Sequence, residues 1–103
     1  MDYTQGPWTY AGYVAMHGGL CITAKRNAVA VLSNKRNEGE GNARLVVAAV
    51  NACQEVNAEN PLAVAESIKE MYEALKYVIN ADDSVSPEIA AVANKALAKA
   101  EGK

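Results

Sequence analysis

Apolar positions change period once along this chain, near residue 42. Before that point they come in short runs, broken by glycine and by polar pairs. Trp8-Thr9-Tyr10 alternates, Gly12 interrupts, and Tyr13-Val14-Ala15-Met16 follows. His17-Gly18-Gly19 has the composition of a turn. Leu20 to Ala24 and Ala28 to Leu32 are two further β-type runs, with Lys25-Arg26-Asn27 turning the chain between them. Asn tolerates a positive φ and is the expected pivot of that turn. Three short runs joined by tight polar turns predict an antiparallel meander over residues 1–35. A sheet this small needs cover on one face.

Residues 33–41 are polar and glycine-punctuated, and read as a loop. From there the apolar spacing becomes helical. Asn42 is placed to cap a first helix over 42–57, with Leu45, Val46, Ala49, Cys53 and Val56 on one stripe. Asn60-Pro61 opens a second helix over 61–81, because proline at the first helical position forfeits no hydrogen bond. Val64, Ile68, Met71/Tyr72, Leu75 and Val78/Ile79 form its stripe, the strongest in the chain. Ser86-Pro87 repeats the start signal for a third helix over 87–101, with a thin stripe of Ile89, Val92, Ala96, Leu97 and Ala100. The predicted class is α+β. A small N-terminal antiparallel meander of about three strands precedes three α-helices, in a single domain spanning 1–103.

Composition adds one constraint. Half of the 103 residues are hydrophobic, but Phe is absent and there is a single Trp. Most of the apolar residues are Ala and Val, which bury little area each. A core this light at this length is marginal, so the expected form is a homo-oligomer closed through the apolar helical faces. No run of eighteen apolar residues and no basic–apolar leader is present, so the expectation is no membrane span, no export and a cytoplasmic location. Cys21 and Cys53 lack a CxxC spacing and are expected as reduced, buried thiols.

Charge is uneven. The net charge is −2, which argues against dedicated DNA or RNA binding. All three arginines, Arg26, Arg36 and Arg44, precede residue 58, together with Lys25 and Lys35. Trp8, Tyr10 and Tyr13 occupy the same half. Aromatic faces stack on bases and guanidinium forks grip phosphates, so Trp8, Tyr10, Tyr13, Arg26, Arg36 and Arg44 are the candidate ligand-binding residues. A plainer reading of the same residues has Trp8 and one tyrosine anchoring the sheet–helix core, with the cations as solvated turn positions. Arg44 sits near a helix start, where its charge opposes the dipole unless an acid or a bound anion compensates.

Catalytic patterns are wanting. His17, the one histidine, is read as a turn residue. One histidine and two distant cysteines do not make a zinc spacing. There is no Walker loop, GxGxxG or GxSxG pattern. The expectation is a protein that is not an enzyme, with no catalytic residues, no metal and no cofactor.

Two stretches carry a resemblance. Thr4-Gln5-Gly6-Pro7-Trp8 and, after the β region, Asn42-Ala43-Arg44-Leu45-Val46-Val47-Ala48-Ala49-Val50-Asn51-Ala52-Cys53 resemble small tailed-phage accessory proteins. Those proteins open on Thr-x-Gly-Pro-Trp and continue into an Asn-Ala-Arg-Leu-Ile helix. The similarity covers roughly residues 4–56, and the third helix departs from the short forms of that group. The group is mostly of unassigned function, so the resemblance implies a setting, the cytoplasm of an infected bacterium, and transfers no active site. It implies a non-catalytic anti-defence protein acting by binding and sequestration, with a cyclic-nucleotide-type immune signal as the leading ligand. A protein–protein inhibitor of a host defence effector, in the manner of an anti-CRISPR, is the alternative. In that case the acidic stretch from Glu66 to Asp83 matters more than the arginines. A structural or accessory phage protein is the third reading.

Overall fold

The computed structural model describes residues 2–33, 38–81 and 85–103. A three-stranded antiparallel sheet, ordered β1-β2-β3, is followed by three α-helices. The strands are β1 (Thr9–Val14), β2 (Gly19–Ala24) and β3 (Asn27–Leu32), and a single 3-10 turn, Ala15–His17, links the first two. The helices are α1 (Gly39–Val56), α2 (Pro61–Ala81) and α3 (Pro87–Ala100). Two compact units result, residues 1–65 and residues 66–103.

In the first unit, β2 is the core strand. Leu20, Ile22 and Ala24 alternate along one face and are all buried, and Cys21 on the other face is fully buried too. Both edge strands are bulged beside Ile22. On β1 the register jumps between Tyr10 and Gly12, and on β3 Ile22 pairs with Ala30 while Thr23 pairs with Ala28. A bulge twists a strand and spoils its outer hydrogen-bonding edge, which discourages pairing with a further strand.

Lys25 and Arg26, not Asn27, take the left-handed conformation at the β2–β3 turn, with φ of 51° and 69°. Asn27 instead pairs with Ala24 and opens β3. Two positive-φ residues between paired strands are what a tight hairpin of matching twist requires.

Helix α1 begins at Gly39, three residues before the expected cap at Asn42. Glu38 holds the cap position without a side-chain hydrogen bond, and Asn42 N–H already donates to Glu38 C=O at 3.0 Å. Glycine is a poor helix former, so Gly39-Glu40-Gly41 reads as loop from local propensity. Packing overrides that preference, because Gly39 and Ala43 are buried in the first unit. The buried stripe is also rotated from the expected one. Ala43 and Cys53 are buried and Val46, Val47 and Val50 half-buried, whereas Leu45 and Val56 are each 70% exposed.

The second unit is a helical hairpin made of α2 from Glu66 onward and α3. Ser86 caps α3 as expected, its hydroxyl accepting from Ile89 N–H at 3.3 Å. Asn60 likewise accepts from Ala63 N–H at 3.3 Å at the start of α2, within the first unit. In the hairpin, Tyr72 hydroxyl donates to Glu101 carboxylate at 2.5 Å and ties the end of α3 to the middle of α2. Among the described residues of this unit only Ala93 and Leu97 are buried. No helix of the described residues is long and apolar enough to cross a membrane.

Candidate functional site

The segment before β1 lies along the C-terminal half of α1 and is held there by side chains of that helix. Asn51 grips both polar groups of one residue. Trp8 N–H donates to Asn51 Oδ1 at 2.8 Å, and Asn51 Nδ2 donates to Trp8 C=O at 2.9 Å. Three residues on, Gln54 Oε1 accepts from Gly6 N–H at 3.0 Å. Residues three apart share a helix face, so the two amides form one docking strip. Tyr3 hydroxyl donates to Ala58 C=O just past the helix end. Trp8 indole N–H turns back to Thr4 C=O at 2.9 Å. Gly6 has φ of 96°, a conformation that favours glycine, and Pro7 follows with no N–H to satisfy.

The two stretches behind the family resemblance therefore meet in space. The Thr-x-Gly-Pro-Trp stretch folds on itself through Thr4 and Trp8 and is clamped by α1 just beyond the Asn-Ala-Arg-Leu segment.

Docking of this segment leaves a cleft of about 230 Å³, lined by apolar groups of Trp8, Val50, Cys53, Pro61, Leu62 and their neighbours Tyr3, Ala49 and Ala65. Its two polar side-chain groups are engaged elsewhere, Tyr3 hydroxyl with Ala58 and Trp8 indole N–H with Thr4. The cleft offers a ligand van der Waals and ring-stacking contact.

The aromatic half of the candidate group is brought onto one face. Tyr10 pairs with Ile22 and Tyr13 with Leu20, and ladder partners point to the same side. Tyr10 and Tyr13 are three residues apart and would face opposite ways on a regular strand; the bulge at Ala11 corrects this. Trp8 alternates with Thr9 and joins them. This is the face of Leu20, Ile22 and Ala24, the side on which Trp8 meets Ala49, Val50 and Cys53 of α1. Tyr10 is half-buried and Tyr13 is 66% exposed.

The cations are dispersed. Arg26 stands at the tip of the β2–β3 turn, at the same end of the sheet as Trp8. Arg44 is seven residues before Asn51, roughly 10 Å back along the helix axis. Its guanidinium makes a two-nitrogen contact with Glu40 Oε1, at 2.7 and 3.1 Å. Both side chains are exposed, so the pair contributes about 0.3–0.5 kcal/mol. Because α1 starts at Gly39, Arg44 lies in its second turn, past the first turn where the dipole acts, and it pairs with Glu40, the acid of that first turn. Arg36 and Lys35 lie outside the described residues. Neither Arg26 nor Arg44 lines the cleft.

Elsewhere, His17 ends the 3-10 turn and is exposed. Cys21 and Cys53 are free thiols, and Cys53 lines the cleft. Among the described residues no three His, Cys, Asp or Glu side chains come together as metal ligands would.

Sequence reasoning missed Tyr3, Asn51 and Gln54. The signal available for the last two was an Asn-x-x-Gln spacing on the half-buried flank of α1. Comparison of the chain with protein-family models, with curated proteins and with solved structures finds no match.

Proposed function

We propose that this is a non-catalytic anti-defence protein of tailed-phage type that works by binding, as an assembly of identical copies, and that its target is a protein surface in the host bacterium. The observation that carries this reading is the distribution of surface chemistry. Large apolar side chains stand exposed on the helices, among them Leu45, Ile68, Tyr77, Ile89 and Val92, while Arg26 stands at a turn tip and Arg44 is paired with Glu40. Exposed apolar patches of this kind mark surfaces that contact other proteins. The setting rests on the two motif stretches, Thr4 to Trp8 and Asn42 to Cys53. Expression in a bacterium carrying a defence system tests it. Stoichiometric capture of one effector, with loss of that effector's activity when the purified protein is added, supports the reading. Unimpaired effector activity across the defence systems of a susceptible host overturns it.

One observation favours the nucleotide reading as the second choice. Trp8 and Tyr3 wall an open cleft, and a purine ring stacks on such walls. Arg26 then serves the phosphates from the neighbouring turn. Thermal unfolding against cyclic dinucleotides, cyclic trinucleotides and cyclic ADP-ribose decides between the two. A large upward shift abolished by Arg26→Ala favours a nucleotide signal; no shift with any of them leaves the protein target.

A further inference from the structure

The hairpin of the second unit has two unlike sides. On one, Lys76, Asn80, Asn94, Glu101 and Lys103 surround a polar hollow. On the other, Leu75, Ile89, Val92, Ala93 and Ala96 line an apolar hollow, with Glu88 at its rim. The apolar side continues along α2 through Ile68, Met71 and Val78, which are 44–51% exposed, while Ile89 and Val92 on α3 are 59% and 72% exposed. A pair of helices with Ala93 and Leu97 as its buried residues has its main apolar surface facing outward.

The spacing on that side identifies the shape of what covers it. From Val64 the apolar positions of α2 run Ile68, Met71, Leu75, Val78, in steps of 4, 3, 4 and 3. On α3 they run Ile89, Val92 and Ala96, in steps of 3 and 4. A repeat averaging 3.5 residues keeps a seam facing another helix along its length. Ser67 and Ala74, which flank the α2 seam away from α3, are small and uncharged, and leave room for a helix to approach. The charges of α2 lie off the seam. They comprise three acids, Glu66, Glu70 and Glu73, against two lysines, Lys69 and Lys76, a net −1. Helix α3 carries Lys95 and Lys99 against Glu88, a net +1. The hairpin thus presents two apolar seams of the same period on helices of opposite charge, which makes the face complementary to itself.

We propose that this face pairs with the same face of a second copy, α2 of each chain lying against α3 of the other, to close a four-helix bundle around Ile68, Met71, Leu75, Val78, Ile89 and Val92. A two-fold pair of this kind is self-complementary by construction, each contact occurring twice. The proposal rests on the reading that the protein acts as an assembly, and it names the surface that assembles.

The test uses full-length chains carrying charges on one helix at a time. Leu75→Glu with Val78→Glu places unpaired carboxylates in the α2 seam at the level of the hollow that Ile89 and Val92 line, and Ile89→Lys with Val92→Lys places ammonium groups in the α3 seam there. Light-scattering mass should show the unsubstituted chain at twice its monomer mass and each variant as a monomer, with helical circular dichroism retained. Mixing the two variants in equal amounts should restore the dimer, because one interface then pairs Glu with Lys and the other is unaltered. The milder Ile68→Ala with Val92→Ala, which introduces no charge, should weaken dimerisation by at least about tenfold. A monomeric unsubstituted chain overturns both this proposal and the assembly reading. Variants that still assemble overturn the proposal alone. Monomeric variants whose mixture stays monomeric overturn the α2-against-α3 pairing.

Discussion

Lys25 and Arg26 show how a position can carry a residue its backbone does not favour. Their positive φ values belong to a tight hairpin turn, where Asn-Gly is the preferred pair. Each non-glycine residue held in this region costs about 1 kcal/mol or more. Lys25→Asn with Arg26→Gly should therefore stabilise the first unit by about 1–2 kcal/mol, read as a higher midpoint in urea. No gain in midpoint would mean that contacts of the two long side chains offset the strain. The turn itself was legible in the sequence as a polar break between two β runs. Which residues bend the chain was not, because register decides it, and register depends on the bulge across from Ile22. Arg44 is the opposite case. A misfit with the helix dipole follows from a helix start at Asn42, and it lapses because the helix begins three residues earlier, in a stretch whose glycines hid both that start and the partner Glu40.

At the scale of elements, start signals were the most legible feature. Asn60-Pro61 and Ser86-Pro87 open α2 and α3 where propensity places them, since a cap is a local contact. The docking of the N-terminal segment was invisible, since Asn51 pairs with a peptide 43 positions away. Asn51→Ala removes both bonds to Trp8 and leaves a part-buried N–H and C=O to find other partners. The expected loss is about 1–3 kcal/mol, together with a red shift of the emission of Trp8, the one tryptophan in the chain. Unchanged stability and emission would remove Asn51 from the docking role. In the hairpin, Glu101 has its carboxyl held below the usual 4.5, first by the Tyr72 hydroxyl and then by Lys103, with desolvation opposing them and Lys76 adding a weaker lowering. A lowered folded-state pKa gives stability that is present above the unfolded value and lost as pH falls through the folded one. The α2–α3 contact should therefore weaken on acidification below about pH 4.5, and Tyr72→Phe should flatten that dependence in circular dichroism titrations. A Tyr72→Phe profile that follows the unsubstituted chain would show that the hydroxyl contributes nothing to it.

For the whole molecule, the order of architecture was legible: sheet first, helices after, with the change of apolar period near residue 42 dividing them. The candidate site was legible only in part. Trp8, Tyr10 and Tyr13 do share a face, yet for a reason, the bulge at Ala11, that no spacing rule supplies. Arg44 belongs to a surface ion pair and Arg26 to a turn tip, because residues close in sequence composition need not converge in space. Both thiols lie in the first unit, Cys21 fully buried and Cys53 4% exposed. Cys21 should react with a charged disulfide reagent only on the timescale of opening of that unit, behind Cys53, which lines the open cleft, and two equivalents per chain should be released at once in denaturant. Rapid native labelling of Cys21 would show that the sheet opens without global unfolding.

The amide clamp between Asn51 and Trp8 also bears on how the chain is made. Trp8 leaves the ribosome 43 residues ahead of Asn51, which at about 5–20 residues per second is a delay of roughly 2–9 s. During that interval the strands can pair, a microsecond event, while the segment before them waits undocked. The emergence of the second half of α1 is therefore the step that lets this segment dock during translation, and the Thr-x-Gly-Pro-Trp stretch, though synthesised early, reaches its native place only after the strands have paired.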